Sequence, residues 1–269
     1  LMDNPLSRLA PQLFGEYPKP FVDLIDSLSL SPDQDIKEVE LLLWKAYEFG
    51  NHYHEGQKRL SGKPYFSHCI AVANTLASWK MDVTTIIAGL LHDTVEDTDA
   101  TLEEVTTAFG DDLGHLVDGL TKISGITYSS RKEKQAGNFM KMLLSVAQDL
   151  RVVIIKFADR LHNMETIKYM PRIKRHRIAI ETRDIYVPLA HRLGMSAVKS
   201  QLEDLVFSVL NPTGYKEIES NIKSSKKQRE KFIKKVIKPV KNELEKYDII
   251  PQVYGRAKSY SSIYGKMMT

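Results

Sequence analysis

The sequence predicts an all-α domain, and three patterns carry that reading. Apolar residues recur at helical spacing, as in Val39, Leu42, Leu43, Ala46 and Phe49. Helix-start signals stand where such runs begin: Asp82 before the run through Ile86 to His92, and Thr101-Leu102-Glu103-Glu104 in the form of a capping box. The third pattern is Val152 to Thr166. Its β-branched opening would pass for a buried strand, but Asp159, His162, Asn163 and Thr166 follow at i, i+3, i+4 and i+7. That is one polar stripe on a helix; a strand would scatter the same side chains over both faces.

Composition narrows the class. With 269 residues and 42% hydrophobic content, the chain can bury a sizeable core. No apolar run approaches a membrane span and no signal peptide precedes the body, so a cytoplasmic protein without membrane contact is expected. A single cysteine, Cys69, excludes an internal disulfide. The formal charge of +4 is unevenly placed: Lys223 to Lys241 holds nine Lys/Arg against one Glu, a net of +8, leaving −4 elsewhere.

Taken in order, the residues through about 20 are rich in proline and read as an irregular lead-in. Phe21 to Leu28 makes one short helix and Asp35 to Gly50 a longer one, with Gly50 ending it. His52, His54 and Glu55 do not have the spacing of a closed ligand set and read as surface or supporting groups. Arg59-Leu60-Ser61-Gly62-Lys63-Pro64-Tyr65 is a polar loop leading into a helix with Pro64 in its first turn, which carries Phe66, Ile70, Ala73 and Leu76 on its apolar face, with His68 also on it. Asp111 to Ile123 is core at Leu113, Leu116, Val117 and Leu120. Ser124 to Lys134 is a polar loop, and Ala136 to Ala147 is helical again.

The chemistry gathers at Leu91-His92-Asp93-Thr94-Val95-Glu96-Asp97, where an apolar run ends in a histidine and several acids. On one continuing helix, His92 pairs with Glu96 and Asp93 with Asp97. Burying an unpaired carboxylate costs several kcal/mol, and acids at a helix C-terminus oppose the macrodipole. A cation removes both penalties. An isolated His-Asp pair is a weak signal, but Asp159 is a second acid at the end of an apolar run, and His68 stands on a neighbouring helix. His68, His92, Asp93 and Asp159 make two imidazoles and two carboxylates, a set suited to Mn²⁺, Fe²⁺ or Mg²⁺ with open water positions and not to a structural zinc.

A histidine, then His-Asp, then a distant Asp, all on helices, resembles the HD-type phosphohydrolases. Arg59-x-Ser61-Gly62-x-Pro64-Tyr65-x-x-His68, Leu91-His92-Asp93-x-Val95-Glu96-Asp97-Thr98 and Asp159-Arg160-Leu161-His162-Asn163-Met164 resemble the hydrolase half of the long RelA/SpoT family. Ile185-Tyr186-x-Pro188-Leu189-Ala190-His191-Arg192-Leu193-Gly194 is similar to the helices that follow it. Tyr254-Gly255-Arg256-x-Lys258 and Ser262-Ile263-x-x-Lys266 resemble the opening of that family's synthetase domain. The resemblance implies an HD-type helical domain over 21–196, a helical linker over 197–246 and the truncated start of an α/β synthetase domain over 247–269, after the lead-in of 1–20.

It further implies hydrolysis of the alarmone (p)ppGpp at its 3′ position to GDP or GTP and pyrophosphate, with Mn²⁺ as the ion. His68, His92, Asp93 and Asp159 match the family's metal ligands, Glu96 and Asp97 its catalytic acids, and Arg59, Ser61, Asn163 and Thr166 its nucleotide-pocket positions. Arg256, Lys258 and Lys266 match residues that hold ATP phosphates in the synthetase, whose acidic residues lie beyond Thr269, so synthetase activity is expected to be absent. Ribosome or tRNA contact is expected only through the full-length protein. Leu60, Met140 and Glu165 depart from the family wording, each removing a positive charge near a polyanion site. Two other readings stand beside this one: an HD phosphohydrolase acting on another nucleotide, and a non-catalytic module that senses guanine nucleotides.

Overall fold

The computed structural model describes residues 17–29, 35–121, 137, 147–222, 226–247, 249–255 and 257–268. The first sixteen residues, the 124–134 loop, most of the 136–147 helix, Met140 and Arg256 lie outside the described residues. Among the described residues the chain is helical and holds no strand, only one isolated bridge between Lys58 and Pro64. It divides into two compact units, Leu1–Tyr169 and Met170–Thr269.

The first unit is built from α1 (Lys19–Asp26), α2 (Ile36–Tyr53), α3 (Phe66–Ser78), α4 (Val83–Leu91), a short α5 (Thr94–Asp97), α6 (Leu102–Phe109), α7 (Asp111–Leu120) and α8 (Arg151–Glu165). Helix α4 is buried along almost its whole length and packs against α2, α3, α7 and α8. It is therefore the axis of the unit. Leu43, Leu76, Ile86, Leu90, Leu91, Leu116 and Ile155 close the core around it. Phe21, Trp44, Tyr47 and Phe66 form a chain of edge and stacked aromatic contacts along one side.

Local chemistry explains the helix starts. Asp35 accepts from Lys37 N at 2.9 Å, and Asp82 accepts from both Thr85 N and Thr85 Oγ1. At α6 the capping box is complete: Thr101 Oγ1 accepts from Glu104 N at 3.2 Å while the Glu104 carboxylate accepts from Thr101 N at 2.8 Å. Thr101→Ala is expected to cost about 1 kcal/mol of stability, read from urea unfolding, with no effect on metal binding. The β-branched stretch Val152–Ile155 lies inside α8, as the polar stripe required.

Three expectations need correction. Gly50 does not end α2, which runs on to Tyr53. A Cβ there would stand 2.5 Å from Phe66 Cε2 and 3.3 Å from Leu91 Cδ2, so the glycine makes room for a ring and terminates nothing. Pro64 is not in the first turn of α3. Arg59 N donates to Lys63 O and Tyr65 N to Gln57 O, both at 2.9 Å, with Gly62 at φ +82°; this tight hairpin ends at Pro64 and the helix begins at Phe66. The 92–97 run is not one helix either. The His92 ring turns back so that Nδ1 donates to Gly89 O at 2.8 Å, the carbonyl that the amide of Asp93 would reach in a continuing helix. Helix α4 stops at Leu91 and α5 restarts at Thr94.

The second unit comprises α9 (Arg172–Glu181), a π turn (Thr182–Tyr186), α10 (Val187–Arg192), α11 (Ser196–Leu210), α12 (Pro212–Asn221), α13 (Lys226–Glu245) and α14 (Tyr260–Met267). Val198, Leu202, Val206 and Ile218 are buried within it. Helix α14 packs on α11 and α12: Ser261 N donates to Asp204 Oδ1 at 3.0 Å, and the Tyr264 ring lies 5.0 Å from that of Phe207. Pro239 sits inside α13. Phe232, Val236 and Val240 are exposed along it.

Candidate metal centre

Each predicted ligand is placed by an element of the first unit. His68 lies in the first turn of α3, His92 caps α4, Asp93 occupies the break before α5, and Asp159 projects from α8. One ligand atom from each of His68, His92 and Asp159 lies within 4.8 Å of the others. Asp159 Oδ1 is 3.1 Å from His68 Nε2 and 3.8 Å from His92 Nε2. Asp93 Oδ2 is 3.2 Å from His92 Nε2 and 3.7 Å from His68 Nε2. Donor atoms held about 2.1 Å from a common octahedral ion stand about 3 Å apart in adjacent positions. His68, His92 and Asp159 could therefore hold a divalent cation, with Asp93 Oδ2 beside them.

An orphaned atom supports that fit. His92 is wholly buried, and its Nδ1 is engaged by Gly89 O, which leaves Nε2 as the bare nitrogen of a neutral ring. That Nε2 is buried with no hydrogen-bond partner, although carboxylate oxygens flank it. A lone pair facing carboxylates is repulsive unless a proton or a cation lies between them. Without a cation, protons play that part. Burial alone would lower the His92 pKa, but the Asp93 and Asp159 carboxylates together outweigh it and raise it. Burial likewise opposes ionisation of Asp93 and Asp159, yet His92 and His68 hold both carboxyls below the usual range.

A second layer surrounds the four. The Tyr65 hydroxyl lies 2.8 Å from Asp93 Oδ2 and 2.7 Å from Asp97 Oδ2, and burial, with both acids adding to it, pushes its pKa far up so that it stays protonated. Tyr65 is stacked on buried His54, with centroids 4.9 Å apart. Gln57, itself 2.8 Å from His54 Nδ1, donates to Asp97 O at 2.9 Å. Arg59 reaches in from the hairpin and donates to Asn163 Oδ1 at 2.8 Å, and Asn163 Nδ2 donates to Asp159 Oδ1 at 2.5 Å. The His162 ring meets that of His68 edge to edge; burial, followed by the charges of His68 and Arg59, pushes its pKa down to about 4.

The structure thus gathers His68, His92, Asp93, Asp97, Asp159, Arg59 and Asn163 into one connected cluster. Glu96 is half-buried on α5 beside Asp97. Ser61 stays apart, on the tip of the hairpin, with no hydrogen bond to the cluster among the described residues. Thr166 turns its hydroxyl to its own helix, donating to His162 O at 2.8 Å. Leu60 and Glu165 are both exposed. Sequence reasoning assigned no role to Tyr65 or His162. Tyr65 stands three residues before His68 and His162 three after Asp159, spacings that were visible but not decisive.

Comparison with known proteins adds to this geometry. A family model described as "HD domain" matches residues 46–196. A protein of Myxococcus xanthus named "GTP pyrophosphokinase" is 45% identical over 239 residues, covering 88% of this chain and 31% of its own length. The Escherichia coli K12 protein named "Bifunctional (p)ppGpp synthase/hydrolase SpoT" is 42% identical over 237 residues, covering 88% of this chain and 33% of its own. An Aquifex aeolicus protein named "Guanosine-3′,5′-bis(diphosphate) 3′-pyrophosphohydrolase" is 44% identical over 245 residues, covering 91% and 34%. The chain spans about a third of the length of the curated relatives it matches.

Proposed function

The chain belongs to the HD domain family, in its RelA/SpoT branch, and from that premise we propose that it is a (p)ppGpp 3′-pyrophosphohydrolase that uses Mn²⁺. In this reaction the oxygen of water adds to the phosphorus bonded to O3′. The O3′–P bond breaks, O3′ takes up a proton, and GDP or GTP leaves with pyrophosphate. The observation that carries the reading is the convergence of His68, His92 and Asp159 beside Asp93, in a chain more than 40% identical to proteins named for this hydrolysis.

His68, His92, Asp93 and Asp159 would hold the ion. When bound, a divalent cation lowers the pKa of water towards neutrality and polarises a phosphoryl oxygen. Glu96 or Asp97, just beyond the ligands in the chain, orients the attacking water and takes its proton. Arg59 presents a planar cation to phosphate or base, and Asn163, bonded to both Arg59 and Asp159, joins the substrate loop to the ligand set. Ser61 and Thr166 complete the nucleotide pocket on the strength of the family wording.

The test is release of pyrophosphate from ppGpp by this chain with Mn²⁺ and with chelator, beside Asp93→Asn. Mn²⁺-dependent formation of GDP and pyrophosphate, absent in the variant, is the expected outcome. Equal turnover of deoxynucleoside triphosphates would replace the reading with a broader phosphohydrolase. Tight binding of ppGpp that stays intact in Mn²⁺ would replace it with nucleotide sensing.

A further inference from the structure

His162 belongs to neither the ligand set nor the acid pair, yet it is tied to both the metal centre and the substrate loop. Its ring meets that of His68 edge to edge, with centroids 4.8 Å apart and planes 27° apart, and their Nδ1 atoms are separated by 2.6 Å. Arg59 Nη1 lies 3.4 Å from the same His162 Nδ1. Two neighbours therefore converge on one ring nitrogen.

Hydrogen-bond chemistry allows that nitrogen a single role. A guanidinium carries only N–H groups and a positive charge, so at 3.4 Å it disfavours an N–H on His162 Nδ1, and a neutral ring with Nδ1 bare carries its proton on Nε2. The 2.6 Å contact between the two rings requires one proton, which must then sit on Nδ1 of His68. A neutral His68 protonated at Nδ1 has Nε2 bare, and Nε2 is the atom beside Asp159 and Asp93. Arg59 thus fixes the tautomer of His162, and His162 fixes that of His68. The other tautomer of His68 would turn an N–H towards the position of the cation and could not ligate.

We propose that His162 is a positioning residue: as a pure acceptor between Arg59 and His68, it holds His68 in its metal-binding tautomer and makes metal affinity depend on the substrate loop. The inference rests on the metal reading above, and the test separates the two. Mn²⁺ binding is titrated by the paramagnetic resonance signal of the free aquo ion in the wild-type chain, in His162→Phe and in His162→Asn, with thermal melts as a check on folding. Phenylalanine keeps an aromatic ring and removes the acceptor. Asparagine removes the ring and restores an acceptor oxygen near the place of Nδ1.

The expected result is a loss of Mn²⁺ affinity of about 10–100-fold in His162→Phe and recovery of most of it in His162→Asn. If the phenylalanine ring is not accommodated, His162→Leu serves as the acceptor-free variant. Unchanged affinity in the acceptor-free variant overturns the proposal. So does an equal loss in the asparagine variant, which would assign the effect to packing of the ring. Failure of the wild-type chain to bind Mn²⁺ at all overturns the metal reading itself.

Discussion

Asp159→Asn is expected to abolish Mn²⁺ binding and to slow pyrophosphate release by about 1,000-fold or more. Asp159 Oδ1 is the atom on which the site closes: both histidine Nε2 atoms and the Asn163 amide lie within 3.8 Å of it. Asparagine keeps the volume and an oxygen able to accept from Asn163, but it removes one of the two negative charges. A hard divalent cation depends on that charge. The several kcal/mol that such an ion contributes to phosphoryl-transfer transition states correspond, at 1.36 kcal/mol per tenfold in rate, to about three orders of magnitude. The measurements are Mn²⁺ titration, product assay and thermal melt on the same preparation. Full turnover with metal still bound would place Asp159 outside the ligand set.

The second large effect concerns the wall behind the site. Phe66→Ala is expected to cost about 3–5 kcal/mol, because the ring is 3% exposed and packs against Tyr47 and the notch at Gly50. Gly50→Ala is expected to destabilise the wild-type chain by about 1–3 kcal/mol, since its Cβ would stand 2.5 Å from Phe66 Cε2. In the Phe66→Ala background the sign should reverse. The new methyl then enters space the ring has vacated, and a helical glycine is worth roughly 0.5–1 kcal/mol less than alanine. Urea unfolding of the four proteins gives the interaction energy directly. Simple additivity would mean that the ring does not define the notch.

These cases also show what could be read from residues alone. Helix caps are local, so Asp82 and Thr101 announced their elements. The polar stripe after Val152 settled helix against strand because it extends over two turns. Gly50 misled because a glycine at a helix end and a glycine under an aromatic ring look alike until the partner, sixteen residues on, is placed. The spacing of His54 suits a surface or supporting group; it is buried behind Tyr65, where it supports a ring that no motif singles out. His162 was seen as one member of a stripe. Its importance lies in a contact across 94 residues of chain, which no periodicity encodes.

The Tyr65 hydroxyl has one proton and stands within 2.8 Å of oxygens on both Asp93 and Asp97. It cannot satisfy both, so the phenol acts as a comparator between an inner and an outer acid. Whatever neutralises the inner oxygen, whether protonation or substitution by an amide, turns the phenolic O–H towards the outer one. A change made at one is registered at the other through a single shared proton, and mutants of either acid report on the pair.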